Sequence, residues 1–365
     1  MTTHAKKQPS CLCLAFPSIS SLMKYSQNCP SSLLQFRCVS KSWRSLISDP
    51  HFIRTHLNQS LSKSNIQTQR ILIASLNRPF RFYAGSAGND HIAESKIDFL
   101  VQYNPPRKWQ IVGSCNGLIC MVANYGHKYI CNPSMYVLER FIYVFNPSTR
   151  ESKQIPNFNP ADDIVGFGYD HCSDDYKLVK IHNNSVYAYS LRICSWRKVH
   201  DFTYKCSINV YESGTQLNGA LHWLCLDDKG HPLEIAIFSL EDEKVWKIPM
   251  PTSFTDADEA YELGVFEGCL CILPWFGDAY TYWAMKEYGV NQSWTKLVTR
   301  VPFDDTFKPL VLLGNDVALL WIDYKKLVLY NTKEETYRDL MIDDDIEGSY
   351  TTIYVESLVS PVMKM

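Results

Sequence analysis

The sequence predicts a mainly β protein, a kelch-like β-propeller of about six blades preceded by a small helical module. The first observation is a series of short apolar or alternating runs from Ile71 onward, separated by polar or Gly/Asn/Asp-rich turns, which is typical of strands. The second is a set of turn glycines at regular intervals of 51, 51, 49 and 46 residues, namely Gly117, Gly168, Gly219, Gly268 and Gly314. The third is an aromatic strand, a polar turn and a further strand, repeated in phase with the glycines. Its markers are Trp196, Trp246, Trp294 and Tyr337.

A repeat of about 50 residues with four strands matches one kelch-type blade. One blade cannot bury both faces of its sheet, whereas stacking blades around an axis buries them, and closing the ring limits exposed edges. The strands at 71–83 and the C-terminal "TTIYVESLVS" fall outside the repeat markers. We expect these two regions to pair as a shared closing blade. An open sandwich of repeated hairpins is the alternative fold.

The helical pattern is confined to residues 31–59. Ser31 or Ser32 can cap a helix, and apolar positions then continue at helical spacing as far as Ile47. Asp49-Pro50 is predicted to end this helix and to begin the next, "HFIRTHLN". We therefore divide the chain into an aberrant N-terminal segment (1–32), a helical module (33–59), a linker (60–70) and the β domain (71–361).

Composition excludes several classes of partner. The net charge is −2, so no global charge drives binding to nucleic acid or to an anionic membrane. No apolar run approaches the roughly 20 residues of a membrane span, and "CLCLAF" is short for a secretory signal and meets Pro17 at once. The 13 cysteines therefore read as reduced thiols, which favours the cytoplasm and/or the nucleus.

Motifs for catalysis are weak. "GSCNG" at 113–117 fits a Cys version of the nucleophile elbow, but a strand follows it where an elbow needs a helix. Asn116-Gly117 instead predicts a tight hairpin turn, because both residues tolerate positive φ. His222 reads as a strand histidine rather than a ligand or base. Phosphate-binding loops of the Walker or G-x-G-x-x-G type are absent, so we predict no catalytic residue and no cofactor.

Motifs for metal are also weak. Cys269 and Cys271 lie in a predicted strand, so both thiols face the same side, toward the core, and no second pair stands at zinc-site spacing. Cys11 and Cys13 likewise have no such partner. The acidic run from Asp343 to Glu347 lacks the alternating ligands and the glycine of a calcium loop. We predict no metal site and a binding protein rather than an enzyme.

The segment "SLLQFRCVSKSWRSLISDPHF" resembles the second half of an F-box of the plant type. The runs "VGSCNGLIC", "YVFNPSTRE", "VGFGYDHCSDDYKLVKI", "LNGALHWL" and "IAIFSLEDEKVWKIPMP" resemble the F-box-associated interaction domain, in the same order, and the likeness covers about 33–340. Similar families include the F-box/kelch-repeat proteins and the S-locus F-box proteins. The resemblance therefore makes 33–59 a partial F-box and 71–361 an F-box-associated propeller.

The resemblance implies a non-catalytic substrate-recognition subunit of a Skp1–cullin–F-box ubiquitin ligase, which holds a target protein near a ubiquitin-loaded E2. Its partners would be a Skp1-type adaptor, a cullin and an unknown target. The implied adaptor-binding residues are Leu33, Leu34, Val39, Trp43 and Leu46. Some of them must instead fill the small core of the module, and the sequence does not divide them.

The chain departs from the family at Pro17 to Ser32, where an amphipathic F-box opening is expected and a Ser-rich stretch stands. When this segment is back-translated and then read in the frame that starts at the third base of each codon, the codons permit "LDIIFDEILSKLPVK". That sequence restores the missing opening. Our hypothesis is a frameshift or a wrong gene-model boundary that returns to frame near Leu33. As written, the chain should bind its adaptor weakly, because half of the apolar docking surface is missing.

Two other functions stay open. One is a propeller that binds its target without degrading it, because the F-box is damaged. The other is a propeller enzyme, which would need carboxylates or metal ligands that converge at the channel mouth. Target specificity is expected in loops between strands, and the candidate rims are 124–140, 251–260 and 276–289.

Overall fold

The computed structural model describes residues 30–62, 69–75, 82–86, 91–95, 108–129, 136–156, 164–182, 184–201, 207–208, 213–226, 232–252, 254, 261–274, 280–299, 307–312, 317–322, 326–331, 333–342 and 349–362. Within these ranges the chain forms three α-helices and 25 β-strands. None of the three helices has the length and apolar character needed to cross a membrane. The predictions on residues 1–29, on Gly314 and on the acidic run at 343–347 lie outside the described residues.

The helical module, defined here as residues 30–62, contains α1 (Pro30–Phe36), α2 (Lys41–Ile47) and α3 (Pro50–Ser62). The prediction of one continuous helix up to Asp49 is wrong. Ser40 adopts an extended backbone, and its Oγ accepts a hydrogen bond from the Trp43 N–H at 3.2 Å. This cap starts a new helix, so the apolar spacing across 33–47 belongs to two short helices.

The ends of the module also differ from the predicted bounds. The first helix begins at Pro30 rather than after Ser31 or Ser32, consistent with the preference of proline for the first turn. Asp49 starts α3 as predicted, since its Oδ1 accepts hydrogen bonds from the N–H groups of His51 and Phe52 at 2.9 and 3.1 Å. The third helix continues to Ser62, into the predicted linker, and the first strand begins at Gln69.

Blade 1 opens the ring with three strands from the start of the β domain. They are β1 (Gln69–Ser75), β2 (Phe82–Ser86) and β3 (His91–Ser95). Blade 2 is the antiparallel meander β4 (Lys108–Cys115), β5 (Leu118–Tyr129), β6 (Tyr136–Asn146) and β7 (Glu151–Ile155). Blade 3 repeats it with β8 (Ile164–Asp170), β9 (Asp175–His182), β10 (Ser185–Ser190) and β11 (Ser195–Asp201).

Blades 4 to 6 repeat the same meander. In blade 4 the inner strand is in two pieces that both pair with the second strand. Its strands are β12 (Ser207–Ile208), β13 (Thr215–Leu217), β14 (Ala220–Leu226), β15 (Pro232–Ser239) and β16 (Val245–Pro249). Blade 5 consists of β17 (Tyr261–Phe266), β18 (Cys269–Pro274), β19 (Tyr280–Met285) and β20 (Trp294–Thr299). Blade 6 consists of β21 (Phe307–Leu312), β22 (Val317–Ile322), β23 (Lys326–Asn331) and β24 (Thr336–Ile342).

The last strand, β25 (Ser349–Val355), closes the ring as the inner strand of blade 1. It runs antiparallel to β1 over seven register pairs, from Gln69↔Val355 to Ser75↔Ser349. The predicted shared closing blade is therefore confirmed, and the described strands form a six-bladed propeller. A second junction lies at the rim, where β24 pairs in parallel with β3 and joins blades 6 and 1 into one sheet of eight strands.

The core lies between neighbouring blades, because each blade buries both faces of its sheet. In β9 this gives an unbroken buried run from Asp175 to Ile181 instead of strict alternation. Trp223 on β14 fills the space between blades 3 and 4. A Cβ built on Gly166 or Gly214 would approach its ring to 2.9 and 2.7 Å, so glycine is required where the two inner strands meet.

The repeat markers that fall within the described residues occupy equivalent positions, with Gly168 as the exception. Trp196, Trp246, Trp294 and Tyr337 all lie on the outer strands of their blades. Gly117, Gly219 and Gly268 each follow a residue of positive φ in the first turn of a blade, the geometry that tight hairpins need. The prediction for Gly168 is wrong, because Gly168 lies inside β8 and the turn of blade 3 follows at 171–174.

The turns between the inner strand and the second strand of the blades lie on one face of the ring, here called the turn face. It is marked by turns 116–117, 171–174, 218–219 and 267–268. The turns between third and outer strands, such as 147–150 and 191–194, leave the same face because strands alternate in direction. The connections from second to third strands and between blades leave the opposite face, here called the loop face.

Candidate functional site

The helical module packs around a small apolar core. Leu33, Ile47 and Phe52 are buried together, one from each helix, and Leu358 from the C-terminal end of the chain joins them. The rings of Phe36 and Trp43 lie against this core with centroids 5.1 Å apart. Three short helices thus share a core that one of the last residues of the chain completes.

The five predicted adaptor-binding residues divide clearly by exposure. Leu33 is completely buried and is a core residue of the module. Val39, in the turn between α1 and α2, is 66% exposed. Leu34, Trp43 and Leu46 are half-buried at the edge of the core. Of the five, Val39 therefore exposes the most apolar surface to a partner, and Leu34, Trp43 and Leu46 expose only their outer parts.

The charge of the module is one-sided. Residues 30–62 carry four Lys or Arg and a single carboxylate, Asp49, which is engaged in capping α3. Lys41 and Arg44 are exposed, Arg37 is half-buried, and within the described residues none of them pairs with a carboxylate. The apolar surface around Val39 is therefore bordered by cations in a chain whose net charge is −2.

The module is docked on the turn face of blades 2 and 3. Leu57 of α3 is buried in the core cluster that also contains Val112 and Leu118, and Ile53 packs against that cluster. Arg54 forms an ion pair with Asp174 in the first turn of blade 3. Both side chains of this pair are largely exposed, so it contributes orientation more than stability. Apolar burial of α3 holds the module in place.

Asn146, at the end of β6, is a structural residue that sequence reasoning missed. Its side chain is completely buried, and its amide Nδ2 donates to the carbonyl oxygens of Ser357 and Val359 at 3.0 and 2.7 Å. Its Oδ1 accepts from the Ser148 N–H at 2.8 Å and so shapes its own turn. The signal was the "FNPST" stretch, which resembled the family but had no assigned role.

Comparison with family models now decides the identity of both parts. The F-box domain model matches residues 29–55, and the F-box associated beta propeller domain model matches residues 82–361, most of the chain. This chain belongs to the F-box proteins with an associated β-propeller. The helical module is accordingly its F-box, and the match begins at residue 29, inside the segment predicted to be aberrant.

The alignments with relatives extend over nearly the whole of this F-box protein. An F-box/kelch-repeat protein of Arabidopsis thaliana is 26% identical over 90% of this chain and 91% of its own length. The F-box protein CPR1 of Arabidopsis thaliana is 27% identical over 90% of this chain and 84% of its own length. Among solved structures, TolB from Acinetobacter baumannii aligns with a TM-score of 0.47 at 12% identity, over 83% of this chain and 72% of that chain.

Burial of the candidate nucleophile, Cys115, disfavours its reactive thiolate form. Cys115 is buried at the end of β4, and burial raises the pKa of its thiol to about 12. The residues after it form the turn Asn116-Gly117 and then β5, as the sequence predicted. A protonated, buried thiol before a hairpin turn does not function as a nucleophile at neutral pH.

The two cysteines of β18 face the core, as predicted. Cys271 is buried and Cys269 packs against the same apolar cluster between blades 5 and 6. Within the described residues, no group of three or more His, Cys, Asp or Glu side chains is arranged to hold a metal ion. Cys11 and Cys13 lie outside the described residues.

His222 is a buried strand histidine, as its sequence context indicated. Its Nδ1 lies 2.9 Å from the Thr215 carbonyl oxygen and its Nε2 lies 2.7 Å from the Tyr288 hydroxyl. The neutral ring fits this pair of contacts, since it donates through Nδ1 and accepts through Nε2. Burial lowers the pKa of His222 to about 4.

Acid is therefore expected to destabilise the propeller through His222. The unfolded chain protonates this residue near pH 6.5, whereas the folded protein does so only near 4, so stability falls as pH drops through this window, by about 3 kcal/mol in total. We expect His222→Gln to reduce the loss of unfolding free energy between about pH 7 and pH 4.5. Urea unfolding at the two pH values measures it, and an unchanged loss in the variant would contradict the assignment.

The three segments predicted as target-binding rims lie only in part in connections between strands. The first segment forms the long hairpin of β5 and β6, which pairs out to Tyr129↔Tyr136, and residues 130–135 lie outside the description. Residue 253 and residues 255–260 of the second segment also lie outside it. For Tyr282–Met285 of the third segment the prediction is wrong, because these residues are buried in β19. The turn that follows them leaves the turn face.

Proposed function

We propose that this F-box protein is the substrate-recognition subunit of a Skp1–cullin–F-box ubiquitin ligase. The observation that carries the proposal is an F-box docked on the turn face of a six-bladed propeller. The F-box offers the surface around Val39 to a Skp1-type adaptor, and the loop face of the propeller, which lies opposite the docked F-box, holds the target. The chain contributes proximity and orientation rather than a catalytic group.

The arrangement separates the two proposed binding events. Arg54 and Leu57 fix the F-box at the turn face, whereas the loop face points the opposite way. An adaptor at one end and a target at the other therefore do not compete for space. We also propose that the protein acts in the cytoplasm and/or the nucleus, the compartments in which thiols are kept reduced.

Binding of a purified Skp1-type adaptor tests the proposal. Val39→Asp puts a charge into the centre of the exposed apolar surface, and we expect adaptor affinity to fall by about 30-fold or more. Val39 is 66% exposed, so the substitution leaves the F-box core intact. The matched control is Ile193→Asp, on the propeller and 68% exposed, which should bind like the unaltered chain. Isothermal titration measures both, and equal affinities would contradict the assigned surface.

Because cations border Val39, we predict that the facing surface of the adaptor is acidic and that the rate of association depends on salt. Reversing Lys41 and Arg44 to Glu together should lower the association rate constant by about tenfold at low salt and leave the dissociation rate nearly unchanged. Lys333→Glu, in an exposed turn of blade 6, is the control. Stopped-flow measurements at several salt concentrations give the rates, and a rate that is independent of salt would rule out steering.

The alternative is a propeller that binds its target without degrading it. The Ser-rich stretch before the F-box favours this reading, because the expected opening helix is not encoded there. A chain that binds no adaptor until an amphipathic opening replaces residues 17–32 would establish it. Sequencing the transcript tests the frameshift hypothesis directly, since codons whose third-position frame spells no F-box opening would exclude it.

A further inference from the structure

The C-terminal segment, defined as residues 356–362, lies between the F-box and the propeller. It follows the closing strand β25 on the turn face. Ser357, Leu358 and Val359 are all buried, although the segment has no regular secondary structure. Such deep burial of an irregular chain end indicates that it fills a space between two larger parts.

Successive residues of this segment serve the two domains. Leu358 belongs to the F-box core with Leu33, Ile47 and Phe52. Val359 belongs to the cluster between blades 2 and 3, together with Leu57 of the F-box. The segment is therefore a structural member of both domains at once.

Asn146 and Gly117 hold the segment in place. The Asn146 amide donates to the Ser357 and Val359 carbonyl oxygens, which an irregular segment would otherwise leave without partners. The Ser357 hydroxyl lies 3.2 Å from the same amide and accepts from the Val359 N–H at 3.3 Å. A Cβ on Gly117 would stand 2.3 Å from the Ser357 Oγ, so the backbone of the first turn fits directly against the segment.

We propose that the C-terminal segment is the strut that completes the F-box core and fixes the orientation of the F-box on the propeller. Leu358 and Asn146 are its positioning residues. A module of three short helices buries little apolar surface by itself, so losing Leu358 removes a large share of its core. The consequence for ubiquitin transfer rests on the proposed function, because a fixed F-box holds a bound target at a defined distance from the E2. The strut itself does not depend on that function.

Hydrogen exchange on the full-length chain tests the strut. In Leu358→Ala we expect exchange to rise at least tenfold in α1 and α2, while β17–β20 of blade 5, which is remote from the segment, keeps its protection. Val362→Ala is the matched control, since Val362 lies in the same segment but is 49% exposed. Unchanged exchange in α1 and α2 would overturn the proposal, and so would an equal rise in blade 5, which would mean general destabilisation.

A second variant separates positioning from packing. Asn146→Ala keeps Leu358 but removes the anchor, and we expect small-angle scattering to show a broader distribution of F-box positions, with the F-box helices retained by circular dichroism. Asn146→Ser, which keeps a polar group in the turn, should be intermediate. A distribution identical to that of the unaltered chain would overturn the role of Asn146. None of these measurements uses an adaptor, so failure of adaptor binding would refute the proposed function and leave the strut standing.

Discussion

Gly117→Ala is expected to lower the free energy of unfolding by about 2–5 kcal/mol, from two separate causes. Gly117 has a φ of +83°, a conformation that costs an L-residue about 1–2 kcal/mol. The new methyl group would also stand 2.3 Å from the Ser357 Oγ and 2.7 Å from the Val355 carbonyl oxygen. The C-terminal segment must then shift, which adds an overpacking penalty of about 1–3 kcal/mol.

Gly268→Ala is the control that isolates the second cause. Gly268 has a φ of +71° in the equivalent turn of blade 5, and a Cβ there meets nothing within 4 Å. We expect this variant to lose only the backbone penalty of about 1–2 kcal/mol. Urea unfolding of the two variants gives the difference, and equal losses would show that the segment yields to the added methyl without cost.

A chain that ends at Gly348 is expected to have no cooperatively folded propeller. It lacks β25, whose seven register pairs with β1 close the ring, and also Leu358 and Val359. The inner edge of β1 would be exposed, and the apolar cluster that includes Leu72 and Tyr354 would lose part of its lining. Calorimetry should show no sharp unfolding transition for this chain.

Adding the missing strand as a separate peptide completes the test. A synthetic peptide of residues 349–362 should bind the truncated chain and restore a cooperative transition, because a strand that pairs by backbone hydrogen bonds can act in trans. The control chain ends at Val362, loses only residues 363–365, and should unfold like the full-length protein. A sharp transition in the chain that ends at Gly348 would mean that β24 and β3 close the ring without β25.

The fold was predictable because its signals are local and repeated. Each hairpin carries its own alternation and turn chemistry, such as Asn116-Gly117, and the repeat near 50 residues identifies the blade. The prediction of a turn at Gly168 failed because glycines are also needed on inner strands, where neighbouring blades approach closely. The break at Ser40 was missed because the apolar residues of the two successive short helices keep, along the sequence, the spacing of one long helix.

The candidate site was less predictable, for a different reason. Sequence named Leu33 and Val39 together, yet one is a core residue and the other is exposed, since burial depends on how α1 and α2 are turned against each other. Asn146 and Val359 are separated by 213 residues, and no local pattern records such a contact. The similarity of "FNPST" to the family pointed to the position but not to its partner.

The burial of Leu358 beside Leu33 also sets an order of events during protein synthesis. The F-box leaves the ribosome before the propeller, but its core includes a side chain that emerges only after the last propeller strand. Domains made first usually fold first. Here the F-box is completed only when the ring has closed, so we expect a chain that terminates before Leu358 to lack a finished F-box.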